Sequence, residues 1–194
     1  MKLIIDGNTK MGRDVAVFNL PPKKTCHPTK WCLFGRDGLP MCYALRNNFL
    51  LPNVLQSLQK RYKLSLTERF VSDMIDEIRK SNYRFFRIHS SGDFYSENYV
   101  AKWIEIAKNC PHVLFRSTTR RRDLTKSILK LHKLPNVIIR ESLDDTTPKP
   151  IMGLPFTALS HMPIAKGVFK CMNNCDKCGH RCWKRAVNMC FDEH

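Results

Sequence analysis

Phe85-Phe86-Arg87-Ile88-His89-Ser90-Ser91-Gly92-Asp93 is the stretch that decides the fold. Its first four residues are apolar except Arg87 and read as a strand, whereas the next five are small or polar and end it. A helix opens at Ser96, turns Tyr99, Val100, Trp103, Ile104 and Ala107 inward, and stops before Pro111. The unit then recurs. His112-Val113-Leu114-Phe115 is strand-like. A helix from near Asp123 buries Leu124, Ile128 and Leu129 and ends before Pro135, and Val137-Ile138-Ile139-Arg140 is the next strand. Three β-α units at a spacing of about 25 residues predict an α/β protein whose parallel sheet is open or curled into a partial (β/α) barrel. Ligands of such sheets bind beyond the carboxyl ends of the strands. The rim is therefore His89-Ser90-Ser91-Gly92-Asp93, Ser117-Thr118-Thr119 and Glu141-Ser142-Leu143-Asp144.

Upstream, Ser65-Leu66-Thr67-Glu68 has the form of a capping box, followed at helical spacing by Phe70, Val71, Met74, Ile75 and Ile78. The segment to Arg46 is irregular, with short apolar runs at Leu3-Ile4-Ile5 and Val15-Ala16-Val17-Phe18, so four or five strands are expected in all. The 194 residues suit one domain, 1–165, with a cysteine-rich appendage, 166–194. A hydrophobic content of 43 % is enough for a core and excludes a disordered basic tail. No apolar run is long enough to span a membrane. Met1-Lys2-Leu3-Ile4-Ile5-Asp6 meets an acid too early for a signal peptide, so a cytoplasmic location is expected.

The net charge of +16 favours a polyanionic partner, nucleic acid among them. It is densest between Phe115 and Leu134, where Arg116, Arg120, Arg121, Arg122, Lys126, Lys130 and Lys133 face only Asp123. The plainer reading of that stretch is a solvated helix face.

Nine cysteines are too few for a disulfide scaffold at this length, and in a reducing compartment they read as metal ligands. Cys26, Cys32 and Cys42 lie on a loop with Pro28, Gly35, Gly38 and Pro40. Three thiolates can hold a 4Fe–4S cluster and leave one iron open to another ligand. Cys171, Cys175, Cys178 and Cys182 follow C-x3-C-x2-C-x3-C, a short chelate that suits zinc or an iron–sulfur cluster equally well. His27, His161 and His180 could each replace a thiolate; Cys110 reads as structural, and Cys190 lies beyond the chelate. His89 is either a proton donor or cluster neighbour, or a hydrogen-bonded rim histidine. Arg87 faces either an anion or an ion-pair partner. No Ser/His/Asp triad, P-loop or H-E-x-x-H helix is present, so hydrolase and triphosphatase readings lack a site.

The order of these parts resembles the radical S-adenosylmethionine (radical SAM) superfamily. Cys26, Cys32 and Cys42 stand where its cluster loop lies, Ser91-Gly92-Asp93 where its Gly-Gly-Glu-like turn lies, and Ser117-Thr118-Thr119 and Ser142-Leu143-Asp144 follow in order. The C-x5-C-x9-C spacing is wider than the usual C-x3-C-x2-C, and the aromatic Tyr43 follows the third cysteine rather than preceding it. More closely, the chain is similar to the phage and mobile-element "gene product 88" family. The similar pieces are Phe18-Asn19-Leu20-Pro21-Pro22 before Thr25-Cys26, Cys42-Tyr43-Ala44, Arg87 through Phe94, Trp103, Thr118-Thr119-Arg120 and the cysteine-rich tail.

The resemblance implies a radical SAM-like enzyme. Its cluster would pass one electron to SAM, with Gly92 and Asp93 on the SAM amine and Ser142 or Thr119 on its carboxylate or ribose. The tail would hold an auxiliary cluster, and an electron donor would be a partner. Two alternatives stand beside it. One is an iron–sulfur protein on the same fold that does not cleave SAM. The other is a zinc-dependent nucleic-acid-binding protein whose Arg120-Arg121-Arg122 cluster meets phosphates.

Overall fold

The computed structural model describes residues 2–35, 37–163 and 166–193. The recurrent units form strands β1 (Ile5–Asp6), β2 (Val15–Phe18), β3 (Phe85–Ile88), β4 (Leu114–Thr119), β5 (Val137–Ser142), β6 (Phe156–Leu159), β7 (Phe169–Lys170) and β8 (Met189–Phe191). The helices are α1 (Lys30–Phe34), α2 (Pro52–Ser65), α3 (Arg69–Arg79), α4 (Glu97–Asn109), α5 (Thr125–His132) and α6 (Arg181–Lys184). All eight strands form one sheet in the order β1-β2-β3-β4-β5-β6-β8-β7. Only β1 and β2 run antiparallel; every other neighbouring pair is parallel. This is the α/β class expected. The strand number is higher than expected because β1, β7 and β8 are two or three residues long, too short to show a period.

The α4 start is as read. Ser96 caps it by accepting a hydrogen bond from the Tyr99 N–H at 3.2 Å. The capping box at Ser65 does not form. Ser65 is instead the last residue of α2, which opens on Pro52 at its first turn, and its hydroxyl donates back to the Tyr62 carbonyl. Helix α3 therefore starts without a side-chain cap, and its apolar stripe Phe70, Val71, Met74, Ile75 and Ile78 holds it in place. The expected rim segments Ser117-Thr118-Thr119 and Glu141-Ser142 are in the strands themselves, because β4 and β5 run to Thr119 and Ser142.

Alternation along the strands separates two faces. Ala16, Phe18, Phe86, Ile88, Phe115, Val137 and Ile139 pack under α3, α4 and α5 in the main core with Trp103 and Phe70. Val15, Val17, Phe85 and Leu114 point the other way and pack with Met11, Cys182, Trp183 and Met189. The tail therefore adds β7 and β8 to the sheet and covers the start of its second face. It also reaches back to the opposite edge, where the Cys175 N–H donates to the Lys10 carbonyl at 2.9 Å. The boundary placed at residue 165 falls on residues outside those described. Among the described residues, no helix is long and apolar enough to cross a membrane.

Candidate functional site

Beyond the part of the second face that the tail covers lies a cavity of about 670 Å³. Its wall includes Cys26, Cys32, Cys42, Ser91, Gly92, Asp93, Thr119, Ser142, Cys171 and Cys175. All the SAM-contact positions that the resemblance implies thus border one space, together with the three early cysteines and two of the four tail cysteines. Cys178 and Cys182 do not line it. A hollow of similar volume, about 690 Å³, is lined by α2 and α3 residues such as Lys60 and Asp73 and contains none of these groups.

The turn after β3 is built by close approach. His89 has φ 66° and Gly92 φ 83°. A Cβ on Gly92 would stand 2.6 Å from both Leu20 Cβ and Thr25 Oγ1, so only glycine fits there. Asn19, just past β2, accepts from the Ser90 and Ser91 N–H groups at 2.7 and 3.0 Å, and the Ser91 hydroxyl donates to the Leu20 carbonyl. Asp93 is buried. Its carboxylate accepts from the Thr119 hydroxyl at 2.7 Å, the Phe94 N–H at 2.7 Å and the Arg120 N–H at 3.0 Å. Burial pushes the Asp93 carboxyl up, against those hydrogen bonds, which pull it down. Asp93 is therefore a clasp between the ends of β3 and β4. Ser142 has no side-chain hydrogen bond among the described residues.

The cysteine loop is tied to β5 by Asp144. Thr29 caps α1, its hydroxyl oxygen accepting from the Cys32 N–H, and its own proton goes to Asp144 at 2.6 Å. Arg120 pairs with the same carboxylate at 3.1 Å. The Cys42 N–H donates to the Cys32 carbonyl at 3.2 Å, which folds the loop back on itself, and the Tyr43 hydroxyl bonds the Ser90 carbonyl. Burial foremost, then the Asp93 carboxylate and the Cys42 and Cys32 sulfurs, push the Cys26 thiol up to about 12. Burial likewise raises Cys42. All nine cysteines are free thiols. Among the described residues, no three His, Cys, Asp or Glu side chains are grouped closely enough to hold a metal ion.

In the tail, the Cys171 N–H donates to the Cys190 carbonyl between β7 and β8, and Cys182 is buried on α6. Burial pushes Cys175 up to about 11. The histidines considered as substitute ligands are engaged elsewhere. His180 stacks on Phe85 at 4.1 Å, His161 pairs with Asp145 and Glu193, and His27 lies 3.9 Å from Asp123. Cys110 sits in the main core, as a structural cysteine would. His89 is the hydrogen-bonded histidine of the two readings: its Nε2 meets the Tyr99 hydroxyl at 2.9 Å and its ring packs among Phe94, Tyr99 and Trp103.

The arginine triplet of the basic stretch is also spoken for. Arg121 pairs with Asp123, Arg122 with Glu141 and Arg120 with Asp144, so these guanidiniums organise the loop after β4 rather than form a free patch. Sequence reasoning placed Asp144 on the rim and Arg120 in the turn after β4 but missed their pairing, and it missed Thr25 and Thr29 as parts of the site. Their only signal was position, just before a cysteine or just after a strand.

No curated protein and no solved structure matches the chain. Residues 2–158 match the family model described as "Gene product 88". The match takes in the early cysteine loop and the turns after β3, β4 and β5, stops short of the tail cysteines, and carries no likeness to radical SAM enzymes. With most of its length matched, this chain belongs to the gene product 88 family, a phage and mobile-element family.

Proposed function

We propose that the chain is an iron–sulfur protein of radical SAM-like type, built as a partial β/α barrel. In this reading Cys26, Cys32 and Cys42 hold a 4Fe–4S cluster. Cys171, Cys175, Cys178 and Cys182 hold an auxiliary cluster, or zinc as the alternative. The observation that supports it is the convergence of the three early thiols, Ser91-Gly92-Asp93, Thr119 and Ser142 on one cavity wall beyond parallel strands.

Thiolate donors suit either metal by type, and the two differ in spacing. A tetrahedral zinc site needs sulfurs about 3.8 Å apart, from a Zn–S bond of about 2.3 Å. A cluster spreads its cysteines, because each thiolate binds a different iron. Cys32 and Cys42 are near enough to Cys26 to push its thiol up, and all three share one wall.

When bound, such a cluster supplies the single electron that cleaves SAM. The rest falls to the chain's own residues. Thr29 and Arg120, both on Asp144, fix α1 and with it Cys32. Gly92 through its backbone, and Asp93, would take the SAM amine. Asp93 and Thr119 already bond each other, so they act as one unit; Ser142, with no side-chain hydrogen bond among the described residues, has a hydroxyl to offer a carboxylate or ribose. Asn19 and Thr25 keep the turn closed behind them.

The test is anaerobic reconstitution with iron and sulfide, followed by reduction in the presence of SAM. Wild type is expected to bind about four irons at the early cysteines, to show a visible charge-transfer spectrum and to release 5′-deoxyadenosine. C26S, C32S and C42S each lose all three. Zinc without iron would overturn the reading. A stable cluster that releases no 5′-deoxyadenosine would move it to the iron–sulfur protein that does not cleave SAM.

A further inference from the structure

Arg87 on β3 and Arg116 on β4 are direct partners across a parallel pair, and both line the cavity. Like charges placed opposite each other on neighbouring strands repel. Neither has a carboxylate partner among the described residues. Arg87 donates to the His89 carbonyl at 3.2 Å and approaches Met11 sulfur at 3.9 Å. Arg116 is only 6 % exposed, stacks on Trp183 at 4.2 Å, and its buried Nε has no acceptor. A buried guanidinium without an anion is costly, so the arrangement calls for a negative group from outside.

The acids on the cavity wall do not supply it. Asp6 is bonded by Tyr83 and Lys2, Asp93 by Thr119 and two backbone N–H groups, Asp192 by Asn173 and Lys170, and Glu193 by His161. The tail sulfurs of Cys182, Cys175 and Cys171 are the neighbours of Arg116 that could carry charge, if a metal held them as thiolates. They would still leave Arg87 unmatched.

We propose that Arg87 and Arg116 form a phosphate clamp on the floor of the cavity, and that the molecule bound there is a small phosphate ester. Two forked guanidiniums, one on each of two adjacent strands, suit an anion with several oxygens. A phosphate monoester carries about −1.5 to −2 at neutral pH, which balances two arginines where a single carboxylate would not. The inference rests on this cavity being the substrate site of the proposed reaction. It is measured without SAM or reductant, so either can fail while the other stands.

The test is calorimetric titration of the full chain with inorganic phosphate, a nucleoside 5′-monophosphate and the parent nucleoside. Phosphate and the monophosphate are expected to bind and the nucleoside to fail. A monophosphate that binds more tightly than phosphate identifies an ester as the natural source; equal affinity limits the site to free phosphate and overturns the ester. R87Q, at a half-buried position, should weaken binding roughly tenfold or more, the scale of a lost charge-assisted hydrogen bond. R116Q should do the same if it folds, and R116K should recover part of the loss. Replacing the exposed Lys126 and Lys130 by Gln should change nothing. Unchanged affinity in R87Q, or an equal loss in the lysine variant, overturns the clamp. So does an R116Q protein that loses bound zinc or iron but keeps its phosphate affinity, which would assign the guanidinium to the tail thiolates.

Discussion

The two faces of the sheet are held by different physics. On the face covered by α3, α4 and α5, Phe18, Phe86, Phe115 and Trp103 interlock as a dry aromatic core. On the other face, arginines take inward positions. Arg140 is fully buried, and its guanidinium donates to the carbonyls of Val187, Cys182 and Arg185 at 2.8, 2.9 and 2.6 Å. Trp183 adds an indole N–H to the Phe86 carbonyl. The first face is stabilised by area removed from water, the second by a smaller apolar cluster and by directed bonds to the backbone of a distant segment. A packed apolar face tolerates no lost volume, whereas a polar face tolerates no lost partner.

The strongest way to break the contrast is Phe86→Ala. It opens a cavity in the dry core and should cost about 3–5 kcal/mol, read as a lower urea midpoint with the whole chain unfolding together. Arg140→Met should cost less, about 2–4 kcal/mol, because three carbonyls, that of buried Cys182 among them, lose their donor. Its effect should be local. Hydrogen exchange of residues 181–191 should quicken while α4 stays protected. If α4 loses protection equally, the two faces are one cooperative unit and the contrast fails.

The smallest effect sharpens the comparison at the join between the faces. Burial, and then Arg87, hold the His89 imidazole near 3, against an ordinary value of 6.5. A histidine with a depressed value contributes stability that is complete above about pH 6.5. It is lost as pH falls towards 3, because the unfolded chain takes up the proton and the folded one does not. His89→Asn removes this dependence with a residue that tolerates φ 66°. Between pH 6.5 and 5, wild type should lose about 2 kcal/mol more than H89N, measured by urea titration at the two pH values.

Much of the dry face was legible in the sequence, because strand alternation and helical spacing are local. The Phe85–Ile88 run, the Ser96 cap and the stripes of α3, α4 and α5 each needed only a short window. Ser65 shows the limit: its capping pattern was present, but α2 had already claimed the residue. The site was legible as residue types, cysteines and a small polar turn, but not as partners. That Asp93 would be bound by Thr119, or Asp144 by Thr29 and Arg120, depends on chain segments 24 to 115 positions apart.

The sequence by itself determined the alternation of strands and helices, the positions of the two cysteine groups and the likeness to one family, since each is written in neighbouring residues. Tertiary structure alone decided that the tail completes the sheet, that early and late cysteines border one cavity, and that Arg87 and Arg116 stand side by side. Those facts depend on how parallel strands from distant segments come into register. No local pattern encodes that register, because it is fixed only when the whole sheet has formed.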